Sequence, residues 1–546
     1  MNKVIFNKLI VYMAVVISLI FTPFNFDALI IPKVILLFVL ALYLLPVIFL
    51  NIRFYIKDRQ LLFLFIVSVL ILLQMLIVMI ISKAPFAQEF YGRTGRGLGV
   101  ATFFSVLVLL LCMATYSQLD DSYFIIKFLF ISGLVSSLYA LMQRFNLDIF
   151  NWSSRTNGII GTLGNPNFQS SFVAMVLIPA VIYSWSNSYK YVLLAFSLLV
   201  LISTLYFTQS TQGYVAVAAA LLIFLLLQTW YKKRSLFYVL AISGFSFALV
   251  ALGGMLNKGP LAYYLYKISI QSRGDFWRGA FNAANSNPTF GVGIDSFGDS
   301  YLLYRDEIAI KHTFAEMTDN AHNYFLEFAA TGGYPLAILN ILIVLFTLYS
   351  FFSLQKKLQK FDPRLASIFC AWVVFQMQSI ISPGTISLIV WNAILSGFLI
   401  GANVRFTSAK NNMTANFKQL SFRVKTTSLS LLIIGVLVMY PFINSDRILR
   451  SGMQSKDGAE VMRALTMYPE SSVKYNLFTQ ELLKSNLPQQ ALEMGRAAIK
   501  FNPNAVSAWA LIFVNPQAPI SERLKARSEI IRLDPFNTEV YKYKLE

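Results

Sequence analysis

The sequence predicts an all-α membrane protein, a polytopic bundle of about 12 to 13 spanning helices followed by a C-terminal helical-repeat domain. The 546 residues are 57% hydrophobic and only 13% charged, with a mean hydropathy of +0.61, whereas soluble domains carry about 25% charged residues. Charged residues become frequent only near the C-terminal end. We therefore expect a transmembrane domain over 1–446 and external helical repeats over 447–546.

Thirteen apolar runs have the length of spanning helices, about 17–25 residues. The first run follows Lys3 and Lys8, but no small-residue cleavage site comes after it, so we interpret it as a retained helix and not as a signal peptide. The runs lie at 9–25, 29–50, 61–82, 98–117, 123–142, 168–186, 189–208, 211–229, 236–255, 328–353, 364–382, 387–403 and 426–446.

Lys- and Arg-rich loops set the expected orientation. With thirteen spans and a cytoplasmic N-terminus, all of them fall on the cytoplasmic side, as the positive-inside bias requires. The excess of 45 basic over 26 acidic residues thus indicates cytoplasmic loops and anionic lipid rather than nucleic acid. These basic loops are 51–60, 231–235, 353–364 and 405–425. The segments then expected outside are 83–97, 143–167, 256–327 and the tail.

The segments expected outside nevertheless contain many arginines, against the topology bias. One explanation is structural pairing or contact with anionic headgroups. The other is a basic pocket for a phosphorylated ligand, because the planar guanidinium group matches phosphate oxygens. The arginines are Arg93, Arg96, Arg144, Arg155, Arg273, Arg278 and Arg305.

The tail contains three Pro turns, at Pro469, Pro503 and Pro535, spaced by 34 and 32 residues. An amphipathic helix ending precedes each turn. This period is typical of tetratricopeptide repeats, which are helical hairpins. Two roles stay open, binding of a partner or acceptor and a cap packed on the external face.

The segment 256–327 is too long for a plain connector. Two amphipathic helices are predicted within it, at 261–270 and 274–285, lying in the membrane interface with their aromatic side chains as anchors. Arg273 would then precede the second helix and Arg278 would lie about one turn into it, where free backbone N–H groups attract anions.

The chain has only two histidines, His312 and His322, and His322 lies where a polar loop meets an apolar run. A hydrogen-bonded structural histidine, with Asp319 and Asn320 as candidate helix caps, is one interpretation. A neutral imidazole that accepts a proton is the other, because the ordinary histidine pKa lies near neutrality.

The sequence offers little for a metal site. Cys112 and Cys370 lie inside apolar runs, and the Asp120–Asp121 pair falls in a loop expected to be cytoplasmic. The first loop expected outside contains a single acidic residue, Asp27. We therefore expect chemistry carried by Arg and His, with no metal or other cofactor.

Several stretches resemble the O-antigen ligase-like family of bacterial membrane glycosyltransferases, which includes O-antigen polymerases and O-linked protein oligosaccharyltransferases. "SRGDFWRGAFNAANSNPTFGVGIDSFG" (272–298) is similar to the family's arginine-tryptophan helix followed by P-x-F-G-x-G. "DNAHNYFLEFAATGGYPLA" (319–337) is similar to its histidine-asparagine segment. Weaker similarities lie in "GTLGNPNFQSSFVAM" (161–175) and "YGRTGRGLG" (91–99).

The resemblance implies a GT-C-like membrane fold, located in the bacterial cytoplasmic membrane. It implies that a glycan on a polyprenyl diphosphate passes to a glycan, lipid or protein acceptor outside that membrane, with inversion and without a metal. His322 would be the catalytic histidine and Arg273 would bind the diphosphate. Further substrate-binding candidates are Arg278, Arg93, Arg96 and Arg155.

The chain departs from the family pattern at one place. Family members usually show Ser-Arg-Gly at the start of a middle span, but "TQSTQGYVAV" (208–217) has Thr211 and Gln212 there and no arginine. Two explanations stay open: the missing charge comes from another residue, with Arg93, Arg96 and Arg155 as candidates, or the diphosphate is held differently.

Two other classes of function remain open. A transporter of lipid-linked sugars would explain arginines in the bundle, but transporters tend to show paired repeats with broken helices, and the sequence shows no such pairing. A receptor or scaffold would use the repeat tail and would not require an arginine-lined mouth.

Overall fold

The computed structural model describes residues 3–150, 158–266, 268–313, 316–408 and 422–542. Within these ranges all regular secondary structure is helical. The first eleven helices are α1 (Lys3–Leu19), α2 (Ile31–Leu50), α3 (Ile52–Lys57), α4 (Arg59–Ile81), α5 (Phe86–Tyr91), α6 (Val100–Tyr116), α7 (Ser122–Arg144), α8 (Pro166–Trp185), α9 (Lys190–Phe207), α10 (Thr211–Lys232) and α11 (Arg234–Met255).

A loop with four short or medium helices follows, and then four long helices complete the bundle. The loop helices are α12 (Ala262–Leu265), α13 (Ile268–Ser286), α14 (Phe297–Tyr304) and α15 (Glu307–His312). The long helices are α16 (Tyr324–Leu358), α17 (Pro363–Ile381), α18 (Ile386–Ser408) and α19 (Phe422–Ser455).

Every predicted span overlaps a helix, although α1 ends at Leu19 and the first span was predicted to reach residue 25. In the described part of the chain, 11 helices are long and apolar enough to cross a membrane. Two shorter apolar helices, Asn7–Leu19 and Val100–Tyr116, account for the first and fourth predicted runs. The predicted fold class, an all-α polytopic bundle, is confirmed.

Helix α18 forms the centre of the bundle and is almost entirely buried. Gly397 and Gly401 let it approach α6, since a Cβ atom at Gly401 would lie 2.6 Å from the Ala114 carbonyl oxygen. The fully buried Trp391 donates its indole N–H to Ser18 Oγ (3.0 Å). Helix α11 is the opposite extreme, because no residue in its apolar stretch is buried inside the protein.

The segments expected on one side of the membrane do contact one another. The amide of Gly95 donates to Asp27 Oδ2 (2.9 Å), which joins the loop after α5 to the loop after α1. Arg93 forms an ion pair with Asp299 in the 256–327 loop. We call this end of the bundle, formed by 20–30, 82–99, 256–323 and the tail, the His322 end.

The opposite end carries the Lys- and Arg-rich loops. Tyr231 donates its hydroxyl to the Gln355 carbonyl (3.2 Å), and Lys357 Nζ contacts Asn403 (2.7 Å). Asn403 in turn donates to Gln60 (3.0 Å). We call this end, formed by 51–60, 231–235 and 353–364, the basic end. Residues 409–421 of the fourth predicted basic loop lie outside the described residues.

The tail consists of short helices, and the expected boundary at 446/447 falls inside α19. Helices at the same place in successive hairpins begin at Ser472 and Val506, 34 residues apart. Tetratricopeptide repeats therefore stay a prediction that agrees with this spacing. The helices are α20 (Gly458–Thr466), α21 (Ser472–Lys484), α22 (Pro488–Phe501), α23 (Val506–Phe513), α24 (Ile520–Leu533) and α25 (Glu539–Lys542).

The tail packs on the 256–327 loop. One hydrophobic core contains Phe276 and Tyr301 from the loop together with Trp509 and Phe513 from the tail. The tail therefore covers this part of the His322 end, as the capping role requires.

The loop helices differ from the prediction. Helix α12 has four residues, and α13 begins at Ile268 instead of 274. The helix continues through Gly274 because Phe276 and Ala280 on its buried face pack in the loop core, and tertiary packing outweighs the cost of about 1 kcal/mol for a helical glycine. Arg273 therefore lies inside the helix and not ahead of it, and the free N–H groups that were expected to attract an anion beside it lie at the helix start near Ile268.

Candidate active site

A cavity of about 310 Å³ opens at the His322 end. Five segments that are distant in sequence form its walls: the loop after α1, the loop after α5, the turn before α8, the segment before α16 and the turn between α17 and α18. Most of the polar side chains that line it are uncharged, which suits a sugar. Lining polar residues include Asp27, Arg96, Asn165, Asn167, Asn320, His322 and Thr385.

His322 is fixed by its neighbours in an unusual backbone conformation, with φ of +50°. Its amide donates to Asn320 Oδ1 (2.7 Å), and its carbonyl accepts from Trp277 Nε1 (3.4 Å). Its ring stacks on Phe276, with centroids 5.3 Å apart. These contacts orient the imidazole, yet Nδ1 is buried without a hydrogen-bond partner among the described residues.

The helix cap beside His322 and the aromatic residues of α13 differ from the prediction. The cap of α16 is Asn323, whose side chain accepts from the amides of Phe325 and Leu326, and not Asp319 or Asn320. The aromatic residues of α13 were expected as membrane anchors, but Phe276 is buried against His322 and Trp277 bonds to it. Their packing partner lies within the protein, and for these two residues the anchor prediction is wrong.

Arg273 lies on the same face of α13 as Phe276 and Trp277, because positions i, i+3 and i+4 of a helix are neighbours. Among the described residues its one hydrogen bond is a long one, which it donates to the Ser269 carbonyl (3.5 Å). Its Nε is buried without a partner, and no carboxylate in the described ranges forms an ion pair with it. Burial lowers the pKa of the Arg273 guanidinium.

The charges around His322 favour its neutral form. Burial is the main cause that lowers the pKa of His322, to about 4, and the positive charge of Arg273 adds to it. The carboxylate of Asp319 acts in the opposite direction. At neutral pH His322 is therefore an uncharged imidazole that can accept a proton.

The other predicted arginines are held by carboxylates. Arg93 pairs with Asp299, while its backbone amide donates to Asp295 Oδ2 (2.7 Å). Arg96 contacts Asp295 (3.0 Å) and Glu327 (3.2 Å), and these charges raise its pKa against the effect of burial. Any anionic ligand would have to share these groups with the protein.

Arg278 is likewise paired, with Asp275 and Asp306 (2.6 Å each), and its side chain is partly exposed. His312 joins the same cluster through Nδ1, 3.0 Å from Asp275. The structure thus separates the two histidines, one in a surface ion-pair cluster and one at the cavity. Arg155 lies outside the described residues.

Asp295 organises the 91–99 segment. Its Oδ2 accepts from the amides of Arg93 and Leu98 (2.7 and 3.1 Å), and its Oδ1 lies beside the Arg96 guanidinium. This explains why the segment that contains Arg93 and Arg96 ends at the cavity wall.

The glycine-rich stretch 287–293 packs backbone to backbone against a kink in α16. The amide of Val292 donates to the Ala330 carbonyl (2.9 Å) and that of Gly293 to the Thr331 carbonyl (3.0 Å). Gly333 has φ of +78°, and a Cβ atom there would lie 2.4 Å from the Thr289 carbonyl oxygen. The glycines therefore fix the loop to the helix that follows His322.

Where the family pattern has an arginine, the structure shows a neutral network. Gln212 donates to Ser171 (3.2 Å) and Gln378 (2.9 Å) and accepts from Ser382 (2.9 Å), which borders the cavity. A cation that the sequence did not single out is close to the same wall. Lys33 is buried, and its Nζ donates to the Thr162 carbonyl and to Ser387 Oγ (3.3 Å).

Comparison with protein families agrees with this geometry. Residues 196–341 match the O-antigen ligase family. The resemblance to the O-antigen ligase-like family is thereby confirmed, and this family comprises enzymes of the membrane glycosyltransferase type. No curated protein matches the chain. The O-antigen ligase domain so defined contains Arg273, Arg278 and His322, whereas Arg93 and Arg96 precede it.

The possible metal ligands in the described residues do not cluster. No group of three or more His, Cys, Asp or Glu side chains there is arranged to hold an ion. Whether the O-antigen ligase domain works without a metal stays a prediction.

Proposed function

We propose that the protein transfers a glycan from a polyprenyl diphosphate carrier to an acceptor hydroxyl or amine at the external face of the bacterial cytoplasmic membrane. The observation that carries the proposal is that His322 lies at the cavity within electrostatic range of Arg273, whose positive charge lowers the pKa of His322. One offers a buried neutral imidazole, the other a guanidinium group without a carboxylate partner in the described ranges. Both lie in the O-antigen ligase domain.

The chemistry requires both groups. The acceptor oxygen or nitrogen attacks the anomeric carbon from the face opposite the diphosphate, so the configuration inverts. The new bond to the acceptor forms as the carbon–oxygen bond to phosphate breaks, and the diphosphate leaves with the electron pair. His322 accepts the acceptor proton, while Arg273 stabilises the charge that develops on the diphosphate.

Most of the remaining arginines have a positioning role in this proposal. Arg93 and Arg96 would position the cavity wall through Asp295 and contact the donor only if the carboxylates share them. Arg278 would do the same through Asp275 and Asp306. Arg155 remains a proposed contact for the donor.

The acceptor class is the open part of the proposal. An O-antigen ligase would use a lipid acceptor, a polymerase would use another glycan repeat unit, and an O-linked oligosaccharyltransferase would use a protein. Deletion of the gene followed by mass spectrometry of surface glycolipids, polysaccharides and glycoproteins identifies the class that is lost. Unchanged profiles in all three would contradict the proposal.

Transfer can be measured directly with the purified protein and a polyprenyl diphosphate-linked oligosaccharide. We expect turnover in excess EDTA, with release of polyprenyl diphosphate in equal amount to the glycosylated acceptor. Complete loss of turnover in EDTA that Mg²⁺ or Mn²⁺ restores would show that a metal takes part.

The proposed orientation has its own test. Glu307 and Lys484 are exposed at the His322 end, and Lys57 is exposed at the basic end. Because Cys112 and Cys370 are buried, single cysteines at these three positions report their own side. In intact spheroplasts an impermeant maleimide should label positions 307 and 484 and reach position 57 only after permeabilisation. The reverse pattern would invert the orientation.

A further inference from the structure

A second and larger cavity lies at the basic end of the bundle, far from His322. Its volume is about 940 Å³, near the upper limit of the roughly 300–1,000 Å³ typical of ligand pockets. Helices α10, α11, α16 and α17 form its walls. Along α16, His322 precedes the first residue and Gln355 lies close to the last, which separates the two sites by on the order of 45 Å of helix.

The inner wall of this cavity is apolar. Leu226 and Leu227 of α10 face Phe352 of α16 and Phe369 and Val373 of α17. These side chains form a surface that would accommodate a hydrocarbon chain. The wall is present because α11 packs mainly on α10 and leaves the space beside α16 and α17 open.

The rim of the cavity is strongly basic. Lys232, Lys233, Arg234 and Lys356 line it and are exposed. In the described part of the chain none of them forms an ion pair with a carboxylate, and Arg234 instead lies over the Trp230 ring at 5.0 Å. The nearest acidic residue in these loops, Asp362, is occupied as the cap of α17.

A buried polar group faces the same space. Gln355 lines the cavity and is 4% exposed, yet neither its side-chain nitrogen nor its side-chain oxygen has a hydrogen-bond partner in the described residues. A buried amide without a partner costs about 1–3 kcal/mol. A ligand with both polar and apolar parts would satisfy it.

We propose that this cavity binds one anionic phospholipid of the membrane. The phosphate lies among Lys232, Lys233, Arg234 and Lys356, the ester region reaches Gln355, and an acyl chain lies against the apolar wall. Basic pockets between spanning helices on the cytoplasmic side suit anionic headgroups, and Trp230 and Tyr231 in the lining are of the residue types that are enriched at membrane interfaces. The site is distinct from the proposed transfer site and does not depend on it.

The test compares two lipids with identical acyl chains, phosphatidylglycerol and phosphatidylcholine, by native mass spectrometry of the full-length protein in detergent. We expect one phosphatidylglycerol to bind about tenfold more tightly than phosphatidylcholine. In the variant K232Q/K233Q/R234Q that affinity should fall by at least tenfold, because three cations are lost and each contributes up to about fivefold near an anionic lipid.

A matched control loses the same charge at the same end. Arg53, Lys57 and Arg59 are exposed at the basic end but do not line the cavity. The variant R53Q/K57Q/R59Q should retain the wild-type affinity. Equal losses in the two triple variants would show a general surface effect and overturn the proposal, as would equal affinity of the wild type for the two lipids.

Two further measurements separate a lipid from a simple anion. Leu227→Trp places a large side chain in the apolar wall and should weaken phosphatidylglycerol without affecting the basic rim. Inorganic phosphate at millimolar concentration should not displace the lipid. Full displacement by phosphate, or unchanged lipid binding in Leu227→Trp, would contradict the proposal. The thermal unfolding midpoint of each variant, measured in lipid-free detergent, checks that it is folded.

Discussion

Arg305 and Arg273 belong to the same loop and the same end of the bundle, but they differ in their partners. Arg305 is 2% exposed and bonds to both carboxylate oxygens of Asp534 in the tail. Within the described residues, Arg273 has only a weak contact with a carbonyl of its own helix. A buried guanidinium is costly unless it is paired. Arg273 is therefore a candidate for ligand binding, whereas Arg305 has a structural role.

The largest effect should come from the imidazole beside Arg273. His322→Asn keeps a residue type that tolerates positive φ but removes the base, so turnover should fall by roughly 10²–10⁴-fold with nearly unchanged donor affinity. His312→Asn, in the surface cluster with Asp275, is the control and should keep most activity. Transfer kinetics and donor binding in detergent decide the matter. Normal turnover in His322→Asn would leave His322 as a structural residue only.

The next largest effect should be on stability. Arg305→Ala leaves Asp534 buried and unpaired, which typically costs about 3–5 kcal/mol. Arg273→Ala removes no ion pair within the described residues and should change stability much less. Thermal unfolding in detergent measures both. Equal losses of stability in the two variants would show that the Arg305–Asp534 ion pair contributes no more to stability than Arg273 does.

Donor binding should show the opposite order. Arg273→Ala should weaken the donor by about 10- to 100-fold, the effect of hydrogen bonds to a charged group. Arg273→Lys should recover only part of this, because an ammonium lacks the bidentate geometry. Lys311→Ala, an exposed cation of the same loop, is the matched control. An equal loss in the control would indicate non-specific attraction.

The smallest effect concerns pH. Since burial and Arg273 lower the pKa of His322 to about 4, the imidazole is neutral above that pH, and kcat/KM should stay level from pH 7 to about pH 5 before it falls. Arg273→Gln removes a repulsive charge, so the acid limb should move to higher pH. An acid limb near the ordinary histidine pKa in both proteins would show that Arg273 does not act on His322.

A second group in the cavity titrates in this range and must be separated. Burial, and then the charge of Asp446, raise the pKa of Asp27 to about 6. The profile should therefore also be recorded in Asp27→Asn. A limb that persists in Asp27→Asn and moves to higher pH in Arg273→Gln belongs to His322.

The sequence predicted the spanning helices well because apolar length is a local property. It placed Arg93, Arg96 and Arg305 at the right end of the bundle but not their partners, because Asp299, Asp295 and Asp534 lie about two hundred residues further along the chain. No local pattern contains that information. The same limit applies to Lys33, which lies in an apolar run and whose partners, Thr162 and Ser387, are distant in sequence.

Within the candidate site, motif similarity located His322 and Arg273, while local pattern gave the wrong environment for both. Helix α13 begins before the predicted position, and Asn323 caps α16. The sequence pattern around Phe276 and Trp277 is consistent with membrane anchors and with packing residues, since amphipathicity does not determine which apolar surface a helix contacts. Only the contact between α13 and α16 decides this.

The core shared by the loop and the tail has a consequence for biosynthesis. Phe276, which stacks on His322, belongs to one hydrophobic core with Trp509 and Phe513. Those tail residues follow every spanning helix in the chain, so the ribosome makes them last. Nascent protein that is already inserted in the bilayer therefore lacks part of the support for its histidine. We therefore expect the surroundings of His322 to reach their final packing only after the tail has been synthesised and docked.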